Sequence, residues 1–435
     1  MAFSWWKGAA VVAGVGAVAL FSSCSGSSST TPVPDPTPAP APTPEPPAPA
    51  ARAGGEAPLP TLVMVQSQFV KRGGKKKPGA AKMTLLRTDG KQWFTEVVED
   101  PQSNVFHKAM PWRDGILTIG AMAAVVEHWK RVDGEWKATK IYEKSWGGQF
   151  DRFRDVEVGD VDGDGKEEMV LATHDMGVVA VGDENADGTW TFQEFDQTPD
   201  TFVHEVEIGD VDGDGKKEFY VTPSERNKAS GASQPGGVAR YDFKDGKYVR
   251  TMVVQWEESH AKEILVADMD GDGKDELYAA KEGHVVKNAE GKPELKDPAK
   301  IVRFDQKGGK WVESVAATLA DEKQCRFLVA SDVDGDGQKE MIAAGMDTGL
   351  WSLEPKGGNT FEPKLIEADS GGFEHATHVG DLDGDGKPEV YAASEKTGGT
   401  RMLRKYTWDG AAWKREDVAP IEPDHITWNL QSGTF

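Results

Sequence analysis

A nine-residue acidic segment, DxDGDGxxE, occurs five times and constrains the fold of this 435-residue chain more than any other feature. The copies begin at Asp160, Asp210, Asp268, Asp332 and Asp381, that is, every 49 to 64 residues. Each copy follows an alternating segment such as VEVG and precedes a β-prone run such as EMVLAT. This context places each acidic segment in a loop between two strands. Repetition at this period predicts a propeller or another array of similar units.

A second repeated feature counts the units. A Gly-containing turn followed by an aromatic residue occurs seven times, at Trp93, Trp136, Trp190, Tyr248, Trp311, Phe361 and Trp413. Asp-Gly and Gly-Gly turns between β-prone runs predict hairpins, because glycine supplies the positive φ that such turns require. Seven hairpins within residues 61–435 predict seven four-stranded units. The 49 Gly and 25 Pro residues also argue against a mainly helical protein.

The two ends of the domain complete the count. Five units, from about residue 153 to 420, contain the acidic loops, and a sixth, residues 107–145, replaces the loop by the short turn at 112–115. Residues 62–100 have room for only three strands, and the segment 425–430 at the other end can supply the fourth. Such an exchange closes a ring and removes exposed sheet edges. We therefore predict an all-β, seven-bladed β-propeller, closed by pairing of the C-terminal strand with the N-terminal blade. An open solenoid is the alternative, but it leaves the C-terminal strand without a partner.

The acidic loops predict metal sites. Each loop has carboxylates at positions 1, 3, 5 and 9 and glycines at positions 4 and 6. Calcium takes six to eight oxygen ligands, and the carbonyl of position 7 can add to the carboxylates. An EF-hand has its bidentate Glu at position 12 between helices, so these loops are of another kind. For a single copy, a solvated acidic turn is the alternative. About five Ca²⁺ sites are predicted, with these ligands: Asp160, Asp162, Asp164, Lys166 and Glu168 (loop 1); Asp210, Asp212, Asp214, Lys216 and Glu218 (loop 2); Asp268, Asp270, Asp272, Lys274 and Glu276 (loop 3); Asp332, Asp334, Asp336, Gln338 and Glu340 (loop 4); Asp381, Asp383, Asp385, Lys387 and Glu389 (loop 5).

This loop between strands, repeated through residues 153–420, resembles the FG-GAP/VCBS repeat of integrin α-like propellers. The resemblance implies a calcium-stabilised propeller that binds a ligand more often than it catalyses a reaction, and it leaves the ligand open. We expect recognition or adhesion, with a glycan or an envelope or extracellular protein as the partner of a monomer. The alternatives are a polysaccharide lyase or hydrolase acting on an anionic glycan at the calcium-free face, and a scaffold in an envelope complex.

The N-terminal segment predicts export. Residues 1–23 have a charged start and a short apolar run, as a signal peptide does. The sequence Phe21-Ser22-Ser23-Cys24 resembles the lipobox of bacterial lipoproteins, which implies acylation of Cys24; ordinary signal cleavage is the alternative. Residues 24–60 are Ser- and Pro-rich and predict a disordered linker. We expect an outer-membrane or cell-surface lipoprotein, or a periplasmic one, that contacts the membrane only through its lipid.

A ring of basic residues is a candidate ligand site. A basic residue lies six positions before each acidic loop, His107 has the same place before the shortened turn, and His425 opens the last strand. The candidates are His107, Arg154, His204, Lys262, Arg326, His375 and His425. They either attract an anionic ligand at the calcium-free mouth of the channel or offset nearby carboxylates such as Asp155, Glu205 and Glu263. Long loops are predicted on the same face at 71–82, 223–237 and 281–300. The net charge of −22 argues against nucleic acid, and no GxSxG or HExxH motif indicates a catalytic centre.

Overall fold

The structure is a computed structural model that describes residues 59–121, 124–148, 151–228 and 232–435. The predicted signal peptide, Cys24 and nearly all of the predicted linker lie outside these residues. In the part of the chain that the structure describes, the regular elements are β-strands, and no helix is long and apolar enough to span a membrane.

The described residues form seven four-stranded antiparallel sheets, or blades, and one extra two-stranded hairpin. From the innermost strand outwards, blade 1 contains β30 (His425–Thr434), β1 (Pro60–Arg72), β2 (Lys75–Thr88) and β3 (Trp93–Asp100). Blade 2 contains β4 (Phe106–Trp112), β5 (Gly115–Ala121), β6 (Ala124–Val132) and β7 (Glu135–Lys144); blade 3 contains β8 (Phe153–Gly159), β9 (Glu168–Thr173), β10 (Val179–Glu184) and β11 (Trp190–Phe195). Blade 4 contains β12 (Thr201–Gly209), β13 (Glu218–Glu225), β14 (Gly236–Lys244) and β15 (Lys247–Trp256); blade 5 contains β16 (Ala261–Ala267), β17 (Glu276–Lys281), β20 (Lys300–Lys307) and β21 (Lys310–Thr318). Blade 6 contains β22 (Cys325–Ser331), β23 (Glu340–Gly345), β24 (Leu350–Gly357) and β25 (Thr360–Glu367); blade 7 contains β26 (Thr377–Gly380), β27 (Glu389–Ser394), β28 (Met402–Trp408) and β29 (Trp413–Pro420).

The ring closes as the sequence predicts. Strand β30 pairs antiparallel with β1, with Leu62 opposite Ser432 and Met64 opposite Leu430. The last strand of the chain is therefore the innermost strand of the first blade. The predicted all-β, seven-bladed β-propeller is confirmed.

Apolar side chains between neighbouring blades hold the ring together. Leu265 and Tyr278 of blade 5, for example, pack in one cluster with Leu328 and Met341 of blade 6. Burying such a side chain contributes about 1.5–3 kcal/mol. Because each blade is packed on both sides, the innermost strands and the loops that leave them are held in fixed places.

Turn chemistry separates the propeller into two faces. The acidic loops join the first and second strands of their blades, and the Gly-aromatic hairpins join the third and fourth. In the hairpin between β14 and β15, Asp245 and Gly246 both have positive φ, 51° and 77°, as a type I′ turn requires. Both kinds of turn lie on the same side of a four-stranded antiparallel blade, which we call the loop face. The opposite side, which we call the mouth face, contains the other turns and the connections between blades.

Two of the predicted long loops on the mouth face contain regular structure. Residues 71–82 belong to an extended hairpin of β1 and β2 that turns at Gly73 and Gly74, so the prediction of a loop there is wrong. The reason is the Gly73-Gly74 turn, whose two positive φ values, 60° and 73°, let Arg72 pair with Lys75 and the two strands keep pairing. The insertion at 281–300 contains a small hairpin of β18 (His284–Lys287) and β19 (Pro293–Asp297).

Candidate functional site

Each acidic loop is wound tightly around its first aspartate. In loop 1, Asp160 Oδ1 accepts a hydrogen bond from the Gly163 amide at 2.7 Å, and its Oδ2 accepts one from the Gly165 amide at 3.0 Å. The two glycines have φ of 80° and 86°, values that side-chain-bearing residues adopt only at a cost. Glu168, at the start of the next strand, accepts from the Val161 amide at 2.9 Å, so the ninth position folds back onto the loop.

The hydrogen bonds around the first aspartate recur in all five loops, and the loops gather the predicted carboxylates. The first aspartate accepts from the glycines three and five positions later, at 2.7–3.0 Å in every copy. All four carboxylates have oxygens within 4.8 Å of one another in loops 2 and 5, and three of the four do so in loops 1, 3 and 4. These clusters can hold metal ions. The carbonyl ligand at position 7 stays a prediction.

The electrostatics of the loops favour a divalent cation. Burial raises the pKa of Glu168 to about 7, and the carboxylates of Asp162 and Asp160 add to the shift. Glu340 in loop 4 has its pKa raised to about 7 for the same reasons. A carboxylate gains protons in this way when it lacks a counter-charge, and a bound cation supplies one. An all-oxygen donor set fits calcium better than a softer metal.

A positive side chain from a neighbouring strand lies against the carboxylates of loop 2. Arg240, on β14, places Nη2 2.5 Å from Asp212 Oδ2 and 3.1 Å from Glu218 Oε1. A weaker version occurs in loop 3, where Arg303 lies 3.7 Å from Glu276, and in loop 5, where Lys405 lies 3.6 Å from Asp383. The corresponding positions of blades 3 and 6 are Val181 and Ser352, opposite Val170 and Ile342. The five candidate metal sites therefore differ in whether a cationic side chain of the protein already lies beside their carboxylates. We call such a side chain a resident cation.

A cavity of about 380 Å³ lies on the axis of the ring, between the innermost strands. Six of these strands have a register shift at the same place, which is a β-bulge; in β8 it lies between Phe153 and Asp155, and in β30 it skips Trp428. At a bulge two consecutive side chains can face the same way. Six consecutive pairs line the cavity in this manner: His107 and Lys108, Arg154 and Asp155, His204 and Glu205, Lys262 and Glu263, Arg326 and Phe327, Trp428 and Asn429.

The first residue of each bulge pair contributes to a ring at the mouth face, which we call the mouth ring. It contains one residue from each blade: Trp428, His107, Arg154, His204, Lys262, Arg326 and Glu374. Five of the seven predicted ligand residues are therefore brought together. The other two are not, because His375 is 1% exposed and hydrogen-bonds Gly345 O at 2.7 Å, while His425 lies outside the cavity lining, 3.5 Å from Lys82. Glu374 and Trp428 occupy their places.

The positive charges of the mouth ring pair with only two carboxylates among those the structure describes. Glu374 bridges Arg326 and Arg154, at 2.5 and 3.2 Å, and Glu282 lies 3.4 Å from Lys262. Burial alone would raise the pKa of Glu374, but the two guanidiniums outweigh it and hold the pKa below its ordinary value. Among the described residues, no ion pair joins the mouth ring to Asp155, Glu205 or Glu263, although the charge of Arg154 favours the ionised form of Glu263.

Beneath the mouth ring the cavity turns acidic. Asp155, Glu157, Glu205, Glu207 and Glu263 line it, and we call them the acidic layer. Lys108 pairs with two of them, Asp155 at 2.8 Å and Glu157. Burial raises the pKa of Glu205 and Glu263 well above the ordinary range, and the charge of Asp155 adds to the shift. Asp155 and Glu263 also accept backbone N–H bonds from the neighbouring innermost strands, at Val206 and Leu328, and so join adjacent blades.

Comparisons with known proteins agree with this architecture. Residues 160–221 and 332–392 match the model of the FG-GAP-like repeat. No curated protein matches the sequence. Among solved structures, a protein from Lactobacillus plantarum is 10% identical, with a TM-score of 0.57 over 86% of this chain and 99% of that chain. A candidate 6-phosphogluconolactonase from Bacteroides uniformis is 12% identical, with a TM-score of 0.51 over the same shares. At these identities the likeness shows the fold alone.

Proposed function

The chain is a seven-bladed β-propeller of the FG-GAP family, and from this premise we propose that it is a calcium-stabilised recognition protein of the cell envelope. In this proposal the acidic loops bind Ca²⁺ and stiffen the scaffold. The ligand, a glycan or an extracellular protein, binds at the mouth face without being converted.

The observation that carries the proposal is the mouth ring at the entrance of the axial cavity. A volume of about 380 Å³ is within the range of small-ligand sites, roughly 300–1,000 Å³. Buried charged groups are usually paired and satisfied, because desolvation is costly. Here two arginines share one carboxylate, and each has an Nε without a hydrogen-bond partner in the described residues. A folded protein that maintains such an arrangement has donors ready for a ligand.

The placement in the envelope is also part of the proposal. The composition of residues 1–23, the cysteine at position 24 and the Ser- and Pro-rich stretch to residue 60 support export, a lipid anchor and a spacer. An anchored propeller on a spacer of this kind would present its faces away from the membrane, where an extracellular ligand can reach them.

A lyase acting on an anionic glycan is the second candidate, and Lys262 is the observation that favours it. Burial and the charge of Arg326 lower the pKa of Lys262 to about 8, which gives the neutral amine a sizeable population at physiological pH. A neutral amine can accept the proton next to a carboxylate that Arg154 and Arg326 neutralise. The glycosidic oxygen then leaves with the bonding electrons and takes up a proton, and a double bond remains in the sugar.

Two measurements on the full chain test the main proposal. Chelation of calcium should lower the melting temperature substantially, because an ion that binds only the native state stabilises it by mass action. A screen of glycans and envelope proteins, with and without calcium, should give a ligand that does not bind to the Arg326→Gln variant. An unchanged melting curve after chelation would refute the metal assignment. Formation of an unsaturated, ultraviolet-absorbing sugar would replace the recognition role by the lyase.

A further inference from the structure

We propose that the cavity binds the terminal residue of a polyuronate chain, with its carboxylate on Arg154 and Arg326 and its ring against Trp428. This inference rests on the proposed recognition function and specifies its ligand class. The ligand would be an acidic sugar whose negative group is a planar carboxylate.

The anion site is formed by buried donors that lack partners. Arg326 is 7% exposed, and its Nε, like that of Arg154, has no hydrogen-bond partner in the part of the chain that the structure describes. His107 Nε2 and His204 Nδ1, in side chains that are each 3% exposed, also lack partners there. Because the other nitrogen of each ring donates its hydrogen, to Phe153 O and to the Ser224 hydroxyl, these two nitrogens are acceptors suited to a sugar hydroxyl. All four residues line the cavity. A guanidinium binds a carboxylate through two parallel N–H bonds, so two guanidiniums that share only Glu374 can accept a second carboxylate.

The cationic side chains around the mouth ring outnumber the carboxylates that pair with them. Arg152 is buried near Arg154, and burial together with the charge of Arg154 lowers its pKa to about 10. Burial and the neighbouring cations, Lys262 and Arg154 first among them, hold the pKa of His204 well below its usual range, so its imidazole is neutral. Burial is the larger cause of both pKa shifts, and repulsion from the neighbouring cations adds to it. The mouth ring has three cationic side chains, Arg154, Lys262 and Arg326, which pair with only Glu374 and Glu282 among the described residues. An anion that enters the ring would relieve this repulsion.

Aromatic rings beside the guanidiniums suit a sugar rather than a bare anion. Trp428 belongs to the mouth ring, and Phe373, which is 43% exposed, stands perpendicular to it with 6.4 Å between the ring centroids. The guanidinium of Arg326 lies 4.3 Å from the centroid of Phe373, and that of Arg154 lies 5.4 Å from the centroid of Trp428. A hexuronate has both groups that this surface matches, an apolar C–H face and a carboxylate.

The acidic layer sets how deep the ligand can go. Carboxyl groups such as Glu205 and Glu263 exchange hydrogen bonds with sugar hydroxyls. The cation among them, Lys108, is already paired with Asp155 and Glu157, so a second uronate carboxylate would be buried there without a counter-charge. A polyuronate therefore cannot thread through the channel, and only its end residue can enter. The rest of the chain would leave across the mouth face, where the tip of the β1–β2 hairpin exposes Lys71, Arg72 and three lysines at 75–77.

Calorimetric titration of the calcium-saturated full chain with a short oligogalacturonate tests the inference. The matched ligand is the same oligosaccharide with its carboxyl groups reduced to alcohols, and a sulfated neutral oligosaccharide distinguishes carboxylate from sulfate. We expect the uronate to bind, the reduced form to bind at least tenfold more weakly, and the sulfated form to bind more weakly than the uronate. Arg326→Gln should weaken uronate binding at least tenfold, because a charge-assisted bond is lost.

Two further variants keep the test independent of folding. Lys247→Gln removes a charge on the loop face and should leave the affinity within twofold. Glu374→Gln removes the carboxylate that competes for Arg154 and Arg326, so it should strengthen binding severalfold, a gain that misfolding cannot produce. Equal binding of the reduced oligosaccharide, or unchanged affinity in Arg326→Gln, would overturn the inference. If calcium still raised the melting temperature while only a neutral glycan or a protein bound, the ligand class would be wrong and the recognition function would remain.

Discussion

Arg240 provides a direct test of whether the acidic loops are cation sites. Its guanidinium already lies within 2.5–3.1 Å of Asp212 and Glu218, two of the four carboxylates of loop 2. A calcium ion on the same carboxylates would be 2.3–2.6 Å from its own oxygens, and thus about 5 Å from the guanidinium. Arg240→Gln removes this resident charge and keeps a polar side chain of similar length.

The expected gain in calcium affinity follows from Coulomb's law. A double and a single positive charge about 5 Å apart repel by about 1.7 kcal/mol in water and by about 6.6 kcal/mol at an effective dielectric constant of 20. Because Asp212 is 29% exposed, the lower value is the safer basis. It corresponds to more than a tenfold tighter site. Without calcium the same variant should be less stable than the native protein, because Asp212, Glu218 and Asp242 lose a shared partner.

The assay is a series of melting curves for the full chain at stepped free calcium concentrations. Arg240→Gln should melt lower than the native protein in chelator and should recover at a lower calcium concentration. Arg240→Lys, which keeps the charge, should behave like the native protein, and Lys137→Gln, an exposed change in blade 2, which has no acidic loop, should have little effect. If Arg240→Gln needed as much calcium as the native protein, or more, the carboxylates of loop 2 would not be acting as an ion site.

Three further predictions concern the scaffold. Burial, and after it the charge of Glu157, raises the pKa of Glu207 well above its usual value of 4.5, so its contribution to stability is present at low pH and is lost as the pH rises through the folded-state pKa. Glu207→Gln should therefore raise the melting temperature at pH 8 by about 2 °C or more and have no effect below about pH 4.5; an equal effect at both values would contradict this reasoning. Deletion of His425–Thr434 removes the innermost strand of blade 1 and should abolish cooperative unfolding, whereas a variant that still melted in one sharp transition would show that closure by β30 is dispensable. His375→Ala should destabilise by about 1–3 kcal/mol in denaturant titration, because the Gly345 carbonyl and the Ser370 hydroxyl lose a buried partner, and it should not weaken ligand binding.

The blade count and the ring closure could be predicted from the sequence because both depend on local signals. An Asp-Gly or Gly-Gly turn requires positive φ, and that requirement is visible in the residues themselves. The acidic loops are equally local, since their carboxylates and glycines lie within nine residues. The convergence of Asp210, Asp212, Asp214 and Glu218 needs no information about the rest of the fold.

The composition of the mouth ring could be predicted only in part, because it depends on the β-bulges. A register shift cannot be recognised from the alternation of apolar and polar residues in the sequence, yet it decides which of two consecutive residues faces the channel. A fixed distance from the acidic loop located Arg154, His204, Lys262 and Arg326. The same distance failed in blade 7, where the chain turns through a positive φ of 55° at His375 and the preceding residue lines the cavity instead.

Blade 1 has no acidic loop, so Trp428 could not be located by its number of residues before such a loop. A comparison of the innermost strands, each taken with the bulge in place, would have found it. The resident cations of loops 2, 3 and 5 were missed for a similar reason. Arg240 comes from the third strand of its blade, 22 residues after Glu218, and only the pairing of Tyr220 with Arg240 across the sheet brings it beneath the loop.

The same contrast explains how a repeated scaffold can recognise an unsymmetrical molecule. The acidic loops lie at equivalent backbone positions and have nearly the same sequence, as a metal ion that needed the same ligands in each copy would require. The mouth ring also lies at equivalent backbone positions, but its side chains differ from blade to blade: tryptophan, histidine, arginine, lysine and glutamate. Scaffold stability alone would favour seven similar residues at seven similar positions. Arg326, Glu374 and Trp428 come from the consecutive blades 6, 7 and 1, and the side chain of Arg154 reaches Glu374 and Trp428 from blade 3, so the ring has a direction. A ligand with an apolar face on one side and a carboxylate on the other is what such a direction can recognise.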